Sequence, residues 1–237
     1  MTRSLEFEIK VQPDARSCGV TCLDAVYAYH GLEIPLRQLA LEVEHLESGG
    51  TLAVMLACDA LRRGFSATIY TYNLHLFDPT WFKGRVNLPD KLLRQAVYKA
   101  DDPKLQVATR RYIEFLDLGG KLRYEELKGG LIRRFLNNEL PILVGLSATH
   151  LYGTAREYGA TDDYDDIRGT PSGHFVVLTG YHREDRTVRV ADPLLPNPIT
   201  GDKQYYDVDM DRLIASILLG IVTYDANLLL IEPKATA

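Results

Sequence analysis

Four apolar runs in the second half of the chain, Ile142 to Leu146, His174 to Tyr181, Thr187 to Asp192 and Asn227 to Ile231, are each short and dominated by branched side chains. Such runs read as strands buried in a sheet. The first half has a different period. Leu23, Val26 and Tyr27 sit at helical spacing between Ser17, a candidate N-cap, and Gly31, a candidate stop, which predicts a helix from Cys18 to His30. Pro35 opens a second helix from Leu36 to Val43, and after Ser48-Gly49-Gly50 a third runs from Leu52 to Arg63, followed by a strand over Phe65 to Tyr72. Ahead of all these, Leu5, Phe7, Ile9 and Val11 alternate with charged residues, the pattern of a half-buried strand. Helices first and sheet later define an α+β chain.

Residues 73–138 read as a mainly helical insertion, with Asp102 and Pro103 as N-cap and first helical residue and a stop at Gly119-Gly120. The expectation is one domain over 1–237 with this elaboration inside it, and one late helix from Asp211 to Leu219. Ala148 to Gly173 is too long for a simple connection and carries the acidic run Asp162 to Asp166, which marks a candidate loop beside a site.

Composition excludes several classes. With 46% hydrophobic and 25% charged residues the chain is neither disordered nor fibrous, and its net charge of −5 argues against a nucleic-acid partner or an anionic membrane surface. Charge enters within the first six residues, so no secretory signal is expected and the cytoplasm is the expected location. The longest apolar run, Leu213 to Val222, is about half of the ~20 residues a membrane helix needs. Three cysteines, Cys18, Cys22 and Cys58, do not suit a disulfide scaffold but allow a reduced, reactive thiol. Their spacing is poor for zinc, and no metal or cofactor is expected.

The chemistry gathers around Cys18. A thiol in the first turn of a helix lies at the positive end of the helix dipole, which favours the thiolate. Gly19 then leaves room for a substrate backbone, and the Cys18 amide, free of an intrahelical acceptor, can bind a developing oxyanion. Gln12, at the end of the first strand, offers a second donor. A thiolate nucleophile needs a base, and His174 is the best placed because it opens an apolar strand after Pro171-Ser172-Gly173. A turn at His182 to Glu184 would set His174 opposite Asp192, Val176 opposite Val190 and Leu178 opposite Val188. Asp192 would then hold Nδ1–H and leave Nε2 for the thiol. His150 is the reserve base, and Asp165, Asp166 and Asn197 are reserve orienters.

Gln12-Pro-Asp-Ala-Arg-Ser-Cys18-Gly, Tyr29-His30-Gly31, Gly173-His174-Phe-Val-Val-Leu-Thr-Gly180 and Val190-Ala-Asp192-Pro193, in that order, resemble the bacteriocin-processing, double-glycine leader peptidases among the papain-like cysteine peptidases. The resemblance covers about residues 10–71 and 140–194. It implies a papain-like fold, a helical part carrying Cys18 and an antiparallel sheet carrying His174 and Asp192, with a cleft between them. It also implies Cys18 as nucleophile, His174 as general base and acid, Asp192 as orienter and Gln12 as oxyanion donor. Family members commonly cleave after Gly-Gly and are often fused to an exporter; a stand-alone form without exporter is expected here. The reading is therefore a peptidase or amidase acting through a thioester on a peptide or small amide. Two alternatives stand beside it: an acyl or peptidyl transferase using the same acyl-enzyme, and a non-catalytic peptide-binding module.

Overall fold

A computed structural model describes residues 2–47 and 49–234; Ser48, in the break expected before the third helix, lies outside the described residues. In chain order the elements are β1 (Thr2–Ser4), α1 (Cys18–Tyr29), α2 (Leu36–Glu42), α3 (Ala53–Arg62), β2 (Phe65–Thr71), α4 (Leu88–Tyr98), α5 (Pro103–Asp117), β3 (Lys121–Arg123), α6 (Gly129–Asn137), β4 (Ile142–Ser147), α7 (Ala148–Tyr152), β5 (Glu157–Tyr158), β6 (Asp163–Tyr164), β7 (Gly173–His182), β8 (Thr187–Ala191), β9 (Tyr205–Asp209), α8 (Met210–Leu219) and β10 (Asn227–Pro233). One sheet runs β3-β2-β10-β4-β7-β8-β9, with β1 paired to the far end of β7. All its pairs are antiparallel except β2 with β3.

The apolar runs are continuous rather than alternating because both faces of this sheet are covered. Leu143, Phe175, Val177, Ala191, Leu229 and Ile231 face a core shared with α1, α3 and α5, while Ile142, Val144, Val176, Leu178, Val190 and Leu228 face a second core with α6 and α8. Adjacent strand residues point to opposite sides, so a strand with two apolar coats loses its period-2 signature.

The Leu5 to Val11 pattern does not become a strand. Phe7 and Ile9 are buried as the alternation requires, but the backbone finds other partners: the Tyr205 hydroxyl accepts from Ile9 N at 3.0 Å and donates to Phe7 O at 3.0 Å. One side chain there takes the place of a ladder. Five short strands were not legible either: β1 ahead of that pattern, β3 in the insertion, β5 and β6 in the 148–173 segment, and β9 before α8. Asp102 does cap α5, accepting from Leu105 N at 2.9 Å with Pro103 in the first turn.

Candidate active site

The segment ahead of α1 is a tight turn built on Asp14, whose carboxylate accepts from Arg16 N at 2.8 Å. Hydrogen bonding from the Ser17 hydroxyl, against a smaller effect of burial, holds its pKa below the ordinary range. The turn delivers the chain into α1 with Cys18 as the first helical residue, partly exposed, and with no acidic side chain in the first turn. Ser17 occupies the N-cap position, but its side chain makes no capping bond. α1 lies across β7, where the Cys22 thiol donates to Phe175 O at 3.3 Å. That contact sets the N-terminus of α1 against the start of β7, and Cys18 and His174 line one cleft of about 250 Å³.

His174 is buried, and its Nε2 donates to Asp192 Oδ1 at 2.9 Å. Burial alone disfavours an imidazolium, but the Asp192 carboxylate and the Cys18 sulfur, each through charge and hydrogen bonding, outweigh it and raise the His174 pKa above its ordinary value. The ring is turned opposite to expectation: Nε2 faces the carboxylate, which leaves Nδ1 as the nitrogen available to the thiol.

The hairpin that brings the pair together has a different register from the expected one. β7 and β8 are joined by four residues, Arg183 to Arg186, with Arg186 in the left-handed region at φ 56°. Pairing starts as His182 with Thr187 and Tyr181 with Val188 and, after a bulge between Leu178 and Gly180, continues as Leu178 with Val190 and Val177 with Ala191. The longer turn shifts the register by three residues and the bulge returns one, a net offset of two. An even offset keeps His174 and Asp192 on the same face, as diagonal rather than direct neighbours, within reach of a long side chain.

Asp192 is fully buried and well satisfied. Besides His174, it accepts from the Tyr206 hydroxyl at 2.6 Å, the Tyr152 hydroxyl at 2.8 Å, Asn197 Nδ2 at 3.0 Å and Leu194 N at 3.0 Å. Burial pushes its pKa up, but His174 and these donors prevail and hold it below the ordinary carboxylate value. Tyr152 and Tyr206 had no signal as site residues in the sequence. The alternation Tyr206-Asp207-Val208 of β9 marks Tyr206 as buried, but its place beside Asp192 comes only from the packing.

Gln12 is anchored next to this group, its backbone N donating to Pro193 O at 2.9 Å. Its side-chain Nε2 donates to Asp14 O at 2.9 Å, which engages one of two amide hydrogens, and among the described residues the second has no acceptor. Gly19 does not clear space for substrate as expected: a Cβ there would lie 2.4 Å from Thr51 Oγ1 and 3.1 Å from the Phe175 ring, so the glycine lets the Gly49–Thr51 segment and β7 close on the helix. The reserve residues divide. Asn197 belongs to the Asp192 cluster, whereas His150 pairs with Ser216 Oγ at 2.9 Å in a separate cavity. Asp165 caps its own turn, accepting from Ile167 N and Arg168 N, and Asp166 is exposed in the same loop. Cys22 and Cys58 are buried thiols whose pKa values burial raises, Cys58 to about 12.

A thiol at a helix start, and a histidine at the start of an interior strand held by a buried carboxylate, are the arrangement of a papain-like cysteine peptidase. Residues 6–88 match the Peptidase C39 family and residues 130–214 match the Peptidase C39 like family, so over these two stretches the chain is similar to C39 peptidases. Among solved structures, a C39-like peptidase from Bacillus anthracis is similar at a TM-score of 0.51 and 14% identity, with 100% of both chains covered. The peptidase domain of Streptococcus ComA, described as a bi-functional ABC transporter involved in a quorum-sensing pathway, is similar at 0.45 and 13% identity, over 97% of this chain and 100% of that one. A double-glycine-motif protease from an AMS/PCAT transporter, in complex with a leader peptide, is similar at 0.45 and 15% identity, over 98% of this chain and 95% of that one. No curated protein matches the sequence. Among the described residues no helix is long and apolar enough to cross a membrane.

Proposed function

We propose that the chain hydrolyses a peptide bond through a thioester on Cys18. The observation that supports this reading is the buried His174–Asp192 pair at 2.9 Å opening onto the same cleft as a thiol at the start of α1. Cys18 Sγ attacks the carbonyl carbon. The oxyanion is received by the Cys18 N–H and the second side-chain N–H of Gln12. His174, held as imidazolium by Asp192, gives its proton to the leaving amine, and the C–N bond breaks to leave the thioester. The neutral imidazole then takes a proton from water, the resulting hydroxide attacks the thioester, and the acid product leaves with Cys18 restored. Splitting one hard displacement into two easier steps needs no cofactor.

In this reading the whole chain is one papain-like domain in which residues 73–138 elaborate the helical side. Support comes from β3, which extends the edge of the same sheet, and from Lys104 of α5, which lines the cleft.

The test is a peptide library read by mass spectrometry, with hydroxylamine added to intercept the acyl-enzyme. Wild type should yield cleaved peptides and hydroxamates, and Cys18→Ala should yield neither. Alkylation of Cys18 by iodoacetamide at pH 6 should be fast and should slow in His174→Ala. Turnover that survives Cys18→Ala, or alkylation indifferent to His174, would overturn the reading.

A further inference from the structure

The cleft has a second acid that the chemistry above does not use. Asp225 is buried to 6% exposure and lines the same cavity as Cys18 and His174. Its place is prepared from both sides. Gly173 on β7 and Gly145 on β4 point to the same face of the sheet, and a Cβ on them would lie 2.3 Å from Asp225 Oδ2 and 3.0 Å from Asp225 Oδ1. The two glycines leave a notch that the carboxyl group fills.

The segment carrying the acid is strained. Tyr224 and Ala226, on either side of it, lie in the left-handed region at φ 71° and 63°, a conformation unfavourable for a residue with a side chain. The inserted residues clamp it there. Asn73 Nδ2 donates to Tyr224 O at 3.1 Å, Asp102 accepts from the Tyr224 hydroxyl, and Lys104 Nζ lies 5.1 Å from the Tyr224 ring centroid while donating to Thr223 O at 2.7 Å. Asp225, Lys104 and the clamp all lie outside the two family-matched stretches except Asn73.

The acid is poorly satisfied for its depth. Its side chain accepts from the Thr223 hydroxyl at 2.6 Å, and the nearby Lys104 ammonium donates to Thr223 O and acts on the carboxyl group through charge alone. Burial pushes its pKa up to about 7, against the Thr223 hydroxyl and the more distant charges of Lys104 and His174. A carboxyl group held by strain at a cleft wall with one donor is short of a partner, and the cleft is where a partner would arrive.

We propose that Asp225 is a specificity-determining residue that accepts a cationic nitrogen of the substrate on the acyl side of the scissile bond. This rests on the peptidase reading of Cys18. An ammonium group could come from a free substrate N-terminus or from a lysine side chain, and the chemistry at Asp225 is the same for both.

The test is covalent labelling of Cys18 by short peptidyl chloromethyl ketones, in which the thiolate displaces chloride to form a thioether. Probes carry a free or acetylated N-terminus, and lysine or its uncharged isostere norleucine at each of three positions before the reactive group. Wild type should label at least about tenfold faster with the cationic member of one such pair, and Asp225→Asn should bring that ratio to about one. Loss of preference on acetylation assigns the cation to the N-terminus, and loss with norleucine assigns it to a side chain; either supports the proposal. Lys104→Met, which removes a competing cation from the same wall, should raise the ratio, giving a second readout if Asp225→Asn is unstable. Equal labelling by charged and neutral probes, or a ratio unchanged in Asp225→Asn, overturns the proposal and leaves the peptidase reading standing. A Cys18 that takes iodoacetamide but no peptidyl probe overturns both.

Discussion

Two buried aspartates flank His174, and they have opposite characters. Asp192 accepts five hydrogen bonds and is held below the ordinary carboxylate pKa, whereas Asp225 accepts one from a side chain and is pushed up to about 7. Taking a carboxylate out of water costs several kcal/mol, and a hydrogen bond to a charged group returns about 1.5–3 kcal/mol. Five such bonds are enough to keep a buried acid ionised; one is not. Depth alone therefore does not fix the role of a buried acid. Asp192 is completed by the protein and serves as a fixed negative charge behind the histidine, while Asp225 is left incomplete at the wall of the cleft.

The contrast can be broken most severely at Asp192. Asp192→Ala should lower kcat/KM by about 10³–10⁴, since the histidine loses its orientation and its charge partner, and steady-state kinetics on any cleaved peptide measures it. A loss below tenfold would mean that Tyr152 and Asn197 orient the ring without it. Next comes the pH dependence of stability. An aspartate raised in the folded state binds its proton more tightly there than in the unfolded chain, so stability is lost as pH climbs from about 4 to about 7. Denaturant titrations should show Asp225→Asn gaining on wild type by about 4 kcal/mol between pH 4 and pH 8. A flat difference would show that Asp225 has a partner after all. Asp192 behaves in the reverse sense: its contribution is present above the unfolded value and disappears as pH falls through its depressed folded pKa.

Smaller effects sharpen the same comparison. Gly173→Ala should cost about 2 kcal/mol because the new methyl meets Asp225 Oδ2 and Thr223 Oγ1, and adding Asp225→Ala should recover part of that cost in a double-mutant cycle. Tyr206→Phe should cost about 1.5 kcal/mol by removing a 2.6 Å bond from a charged acceptor, with the remaining four donors keeping Asp192 ionised.

Much of the helical side was legible because its signals are local. Pro35, Gly31, Gly64 and the Asp102-Pro103 pair act within one turn of helix, and α1, α2, α3 and α5 begin and end within a residue or two of where those residues put them. The sheet was legible as strands but not as pairings. Register depends on turn length and on a bulge, and neither Arg186 in the left-handed region nor the irregularity near Thr179 has a residue signature. The expected face for Asp192 survived because the error was an even number of residues; an odd one would have turned the carboxylate into the opposite core.

The chain's order of residues by itself determined that a thiol begins a helix, that a histidine opens a buried strand and that an aspartate follows the next one, because helix starts and strand periods are set by neighbours a few positions apart. Only the tertiary structure decided which ring nitrogen faces Asp192, that Tyr152 and Tyr206 complete it, and that Asp225, far along the chain from Cys18, faces the same cleft. Those outcomes depend on which groups share a desolvated space, and that is a property of packing between distant segments.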